Sequence, residues 1–299
     1  MIDTPNAAAA ADAADAADSH GDRIQWLKYS PYFILHGGCL AVFWVGASTP
    51  AVTLAVVLYI ARMFFITGFY HRYFSHRAFK TSRWAQFIFA VLGCTAGQRG
   101  AIWWSAHHRH HHRYSDQPND THSPYHGGLT MSHAGWFLQV KNEPIREPYV
   151  RDWHRYPELL WLEKVELLPF IALGAGVYGL GQIVEQAWPA AQTSGLQLLV
   201  WFLISTVAVY HATYTINSLC HIWGSRRFET DDHSRNNPIL AVITLGEGWH
   251  NNHHWHPTAA QQGLLWWEID ITYYVLRLLA AVGLIWDLRP YPKRSLIDD

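Results

Sequence analysis

The chain has 299 residues, half of them hydrophobic and only 15% charged, with a net charge of −1. A soluble domain carries about 25% charged residues, so this composition points to a membrane protein. The lack of a basic tract excludes nucleic acid as a partner. Cys39, Cys94 and Cys220 lie in or beside apolar runs with no CxxC spacing, which excludes a disulfide framework or a zinc knuckle. The 16 Trp and 15 Tyr suit a membrane-interface belt, and the 20 His are the outlier.

Residues 1–22 form a low-complexity tail whose Ala/Asp run, Ala7 to Asp18, is expected to be disordered. It has no basic segment leading into an apolar one, as a cleaved signal peptide would. Residues 23–299 read as one domain. Pro31 to Ala47 and Ala51 to Tyr70 are apolar and separated by Ser48-Thr49-Pro50. A helix needs about 20 apolar residues to cross a bilayer, so these segments predict a hairpin of spans, about 31–47 and 51–70. Arg62, a polar exception with His36, is expected to snorkel or to meet a carboxylate. Trp84 to Ala96 is too short to span and reads as interfacial.

Leu167 to Val184 and Leu196 to Ile216 predict a second hairpin, 167–184 and 196–216. Neither hairpin connector contains Lys or Arg, and the segments outside the hairpins hold nearly all the basic residues. Positive-inside bias then puts both termini and the caps, 71–165 and 217–299, in the cytoplasm. Gly263 to Leu288, apolar but broken by Glu268, Asp270, Arg277 and Asp287, reads as an interfacial amphipathic helix. The expected fold is an all-α integral membrane protein of four transmembrane helices in two hairpins with a cytosolic helical cap.

Histidine concentrates in that cap, where five of the nine residues from Trp104 to His112 are His. Imidazole is the commonest side-chain metal ligand. At about 100° per residue on a helix, His111 lies about −60° and His112 about +40° from His108, so the three share a face. His250, His253 and His254 repeat the spacing. His107, His110 and His256 fail the angular test. His71 and His76 follow the second span, and Asn217 and His221 the fourth. These nine imidazoles are too many for one ion. Structural zinc usually recruits Cys, and calcium or magnesium recruits carboxylates. An all-imidazole set suits iron, copper, nickel or zinc, and two ions sharing the ligands is the economical reading. Asp116, Glu247 and Asp231 are candidates to orient ligand imidazoles.

The segments HRYFSH, HHRHHHRYSD, NSLCHIWGSRRF and GEGWHNNHHWHP resemble the membrane fatty acid desaturases of the acyl-CoA Δ9 (stearoyl-CoA) type, over about residues 30–288. The resemblance implies a di-iron (Fe2+) centre on His71, His76, His108, His111, His112, His221, His250, His253 and His254, with Asn217 reaching iron through water. It implies O2-dependent removal of two hydrogens from adjacent methylenes of a long acyl chain. It also implies an apolar acyl tunnel touching Gln98, Thr213 and Tyr214, the last standing where the family has Trp. Lys141 falls near a basic coenzyme A contact of the family. Arg99 stands where the family has Asn, and Val140 where it has Arg. Long-chain acyl-CoA is the carrier the resemblance implies, and these departures from its coenzyme A contacts keep a phospholipid or an acyl carrier protein ester open.

No attached cytochrome b5 domain is expected, so a separate ferredoxin, rubredoxin or cytochrome b5-like donor is implied. His133, in a segment the family shares, is a candidate to support the ligands. The rival readings are a related di-iron hydroxylase and a metal-transport or metal-storage membrane protein. The latter predicts ionisable ligands inside the spans, whereas these clusters lie at and beyond the span ends.

Overall fold

The structure, a computed structural model, describes residues 21–292. The Ala/Asp run lies outside the described residues. The last residues of the predicted tail are docked: Lys141 N–H donates to Gly21 O, Val140 N–H to Arg23 O, and the Lys141 ammonium pairs with Asp22.

Among the described residues, three helices are long and apolar enough to cross a membrane: Thr49–Ser75, Leu168–Ala187 and Gly195–Ile222. The first expected span is shorter. It comprises α1 (Ser30–Gly38), a 3-10 turn Cys39–Ala41 and α2 (Val42–Val45). Gly46, at φ 67, stops it, and at 1.5 Å per residue such a segment covers only about 24 Å. Ser48, whose hydroxyl accepts from Ala51 N–H, caps α3 (Thr49–Phe64) with Pro50 in its first turn. The chain continues from α3 into widened π-helical turns, Phe65–Ser75.

The strand β1 (Lys80–Thr81) leads to α4 (Arg83–Cys94), the predicted interfacial segment, and then to α5 (Ala101–Tyr114). Next come α6 (Pro124–Thr130), a π turn Met131–Gly135, and α7 (Pro157–Lys164). The long helices α8 (Leu168–Ala187) and α9 (Gly195–Ile222) follow. Short α10 (Pro238–Ile243) and α11 (His250–Trp255) precede α12 (Ile271–Ala281) and β2 (Ile285–Trp286). Gly263 to Leu288 is thus helical only in part. β2 pairs antiparallel with β1, tying this end of the chain to the segment after His76.

The long helices pack around α9, whose neighbours are α3 and α8. Arg62 is 1% exposed and donates to Ser205 and Thr206 on α9, both at 2.7 Å. It neither snorkels nor meets a carboxylate, because two hydroxyls of the facing helix lie within its reach. The connectors lie together, with Ser48 Oγ 2.7 Å from Thr193 Oγ1 and Gln197 Nε2 donating to Val45 O. At the other end an aromatic core, with Phe69 stacked on Phe89 at 3.8 Å, supports the histidine-bearing segments.

Candidate metal centre

Each histidine segment is aimed by a different local device. On an α-helix, residues five apart stand about 140° apart, so His71 and His76 would diverge. The π-helical turns bond residue i to i+5 and stack such residues. His76 N–H donates to His71 O at 3.2 Å, which brings both rings inward. The helix α9 is 28 residues long, about 42 Å against a hydrocarbon core of about 30 Å. That length exceeds what a span needs, and the last turns of the helix carry Asn217 and His221.

The helix α5 has no side-chain cap of its own. Its free N–H groups at Ile102 and Trp103 are taken by Glu163, and Gly100 N–H by Glu166, a favourable place for carboxylates. Burial, and Glu166 beside it, push Glu163 up to about 7. The short α11 is held by the two asparagines between its histidines. Asn251 Oδ1 accepts from Arg227 and Phe228 N–H, and Asn252 Oδ1 from Asn236 Nδ2, each at 2.8 Å.

The nine histidines assemble into two groups. The ligand nitrogens of His71, His76, His108, His112 and His253 lie within 4.8 Å of one another, as do those of His111, His221, His250 and His254. Both α5 and α11 are split between the groups, one face serving two adjacent sites. Asn217 lines a small cavity with His71, His108, His111 and His250. His107 and His110 are buried outside both groups, as the angular test expects, and His256 packs on Tyr291.

The donor set fits metal ions. Nε2 of His253 lies 3.0 Å from Nε2 of both His71 and His112, and the His221 and His250 pair is 3.1 Å apart. Neighbouring ligands at about 2.1 Å from one ion are separated by roughly 3 Å. Four of the rings have Nδ1 committed to a carboxylate: His71 to Glu247 at 2.5 Å, His221 to Asp116 at 2.7 Å, His111 to Asp120 at 2.9 Å, and His254 to Asp232. Each Nδ1–H donates, so the Nε2 lone pair is freed. Nε2 of His111 and of His254 is buried with no hydrogen-bond partner among the described residues. Four carboxylates also offset four of the positive charges that two divalent ions would bring.

Burial alone would raise Asp116, but the hydrogen bond from His221 holds it at about 2; Glu247 is held at about 2 by His71 and Arg72. Asp231 is exposed, and its neighbour Asp232 takes the expected role. Asp120, nine residues after His111, was not singled out by sequence and carried no spacing signal. Arg72, buried between Glu247 and Asp270, was also missed. His133 touches no ligand ring; it bonds Ser218 Oγ and His211 Nδ1, each at 3.0 Å.

A cavity of about 530 Å³ adjoins the histidines. Trp104, His108, Thr213 and Asn217 line both cavities. Gln98, Arg99, Thr213 and Tyr214 line the larger one, with Gln98 donating to Thr213 Oγ1 at 3.0 Å. Lys141 is not in its wall and pairs with Asp22. Arg99 pairs with Glu166 at 2.8 Å.

Membrane-length helices, two buried all-imidazole clusters and an adjoining apolar cavity define a membrane protein equipped to hold metal beside a lipid-like ligand. The family profile described as fatty acid desaturase matches residues 47–286. The chain belongs to this family. It is 37% identical over 244 residues to a palmitoyl-monogalactosyldiacylglycerol delta-7 desaturase, chloroplastic, of Arabidopsis thaliana, covering 80% of this chain and 62% of that one. It is also 37% identical over 244 residues to delta-9 acyl-lipid desaturase 1 of the same plant, covering 80% and 75%. Against an icosanoyl-CoA 5-desaturase of Limnanthes douglasii it is 37% identical over 224 residues, covering 73% and 59%. The chain thus spans less than two thirds of the first and third of these relatives.

Proposed function

We propose that the protein is an O2-dependent di-iron desaturase that introduces a cis double bond, at Δ9, into a long saturated acyl chain. The balance is –CH2–CH2– + O2 + 2 e− + 2 H+ → –CH=CH– + 2 H2O, the electrons coming from a separate ferredoxin, rubredoxin or cytochrome b5-like protein. Two irons would be held by His71, His76, His108, His112 and His253, and by His111, His221, His250 and His254 with Asn217 beside them. When bound they supply the oxidising power needed to take hydrogen atoms from an unactivated methylene. The chain's own residues do the positioning. Gln98, bonded to Thr213, and Trp104 and Tyr214 line the cavity with His108 and would hold the acyl chain beside it.

The opening of the cavity supports one reading of the carrier. Its exposed lining residues are Lys28, Pro31, Ile34, Leu167 and Ile171, at α1 and the start of α8. Ile34, Leu167 and Ile171 are 68%, 51% and 59% exposed. That apolar rim supports sideways entry of a glycerolipid-linked chain from the bilayer. The names of the acyl-lipid relatives agree with it. Acyl-CoA is the second reading, favoured by Lys28 and Arg99 in the same wall. On this reading Ser30–Val45 completes a fourth, short span, residues 23–299 act as one unit, and the basic, histidine-bearing side faces the cytoplasm.

Gas chromatography of host fatty acids with and without expression tests the function. A new 9-monoene is expected; a hydroxylated product without olefin would favour the hydroxylase. Purified protein should hold two irons per chain, and one metal or none counts against the proposal. Membranes supplied with labelled stearoyl glycerolipid or with stearoyl-CoA separate the carriers.

A further inference from the structure

Three buried polar atoms in the cavity wall have no partner among the described residues: His107 Nε2, His122 Nδ1 and Trp136 Nε1. Their side chains are 2%, 6% and 8% exposed. They form one niche, with the Trp136 ring 5.8 Å from His107 and 5.1 Å from His122. Buried polar groups are almost always hydrogen-bonded, so this wall is built for an occupant.

The atoms specify its chemistry. The Trp136 indole N–H only donates. His107 Nδ1–H donates to Trp103 O at 3.0 Å, so Nε2 of the neutral ring only accepts. An ester oxygen would satisfy the indole and leave His107 bare. A small neutral group that accepts and donates, such as a hydroxyl or a secondary amide, satisfies both. The niche also lies at a telling place. On one side Trp103 packs against His107, ring centres 4.3 Å apart, and the Arg99 guanidinium, paired with Glu166, lies over the Trp103 ring at 5.0 Å. On the other side His122 packs on His111 of the second histidine group at 4.1 Å.

We propose that His107, His122 and Trp136 recognise the donor–acceptor group that flanks the acyl linkage of the substrate: a free hydroxyl of a glycerol or sugar headgroup, or the amide of a pantetheine arm. The assignment rests on the reading of this cavity as an acyl site. It makes these residues selective for the carrier, separately from the chain.

The test is equilibrium binding of 1-stearoylglycerol, stearoyl-CoA and methyl stearate to the full chain in detergent, wild type against His107→Phe, with metal content as the check on folding. Methyl stearate has the chain and the ester but no donor. Tenfold or greater weakening for 1-stearoylglycerol, or for stearoyl-CoA, with methyl stearate unchanged, is expected and names the carrier. Unchanged binding of both would overturn the proposal, leaving the niche to water, and equal weakening of all three would overturn it in favour of plain packing. Should His107→Phe lose metal, His107→Leu removes the same acceptor with a smaller side chain and is read by the same outcomes. If wild type binds none of the three esters, the acyl-site reading itself falls, a result separate from any change between wild type and variant.

Discussion

Asp231 and Asp232 are chemically identical neighbours, and only the second reaches a histidine. Asp232 fixes the His254 ring so that Nε2 faces the second group, which removes the cost of choosing a tautomer when metal binds. Replacing such a carboxylate typically costs 10–100-fold in metal affinity. Asp232→Asn should therefore weaken metal binding by about 10–100-fold, and Asp231→Asn should leave it unchanged. Competition with a chelator measures both, and equal affinities would contradict the assignment. Asp120 and His111 stand in the same relation. Neither aspartate was selected by sequence, because separations of 9 and 22 residues acquire meaning only after the chain folds back.

Among the elements, the π-helical stretch Phe65–Ser75 carries the most consequence. It re-phases His71 and His76, and it is wedged against α4. A Cβ on Gly93 would fall 2.0 Å from Tyr70 Cε1, and Tyr70 is held by its hydroxyl donating to Arg99 O at 3.1 Å. Gly93→Ala must push this ring, and with it the turn before His71. Overpacking of this kind costs about 1–3 kcal/mol, so a lower unfolding midpoint and reduced metal content are expected together. A variant with native midpoint would show that the wedge yields. At the start of α5, Glu163→Ala strips Ile102 and Trp103 of their acceptor and should cost about 1 kcal/mol, the usual worth of a cap. Thermal unfolding in detergent reads it directly.

For the molecule as a whole, the metal site is a store of buried imidazoles. Burial holds His108, His112, His250 and His253 well below the usual imidazole value. His111 runs the other way: burial lowers it, but the Asp120 carboxylate outweighs that and raises it. In the unfolded chain all of them protonate near pH 6.5. Below that value the unfolded state binds more protons, so stability rises with pH and is lost on acidification. The midpoint of metal-stripped protein should fall steadily between about pH 7 and pH 5. Bound metal should shift the fall and be released as the ligands protonate. A midpoint independent of pH over this window would mean that the rings are not buried neutral.

The sequence alone determined the membrane character, three of the long helices, the nine clustered histidines and the position of His107 and His110 outside both clusters. Each of these follows from local rules: apolar length against bilayer thickness, and angular phase along one helix. The HxxHH faces were legible because they lie on regular helices. Their division between two groups was not, since a face records direction and not which neighbour it meets. Tertiary structure alone decided the π-turn phasing of His71 and His76, the carboxylate behind each of four rings, and the hydroxyl pair around Arg62. It also decided the shortened first apolar segment and the open side of the cavity. These depend on contacts between segments far apart in the chain, and the energy of a buried polar group is set by what folds against it.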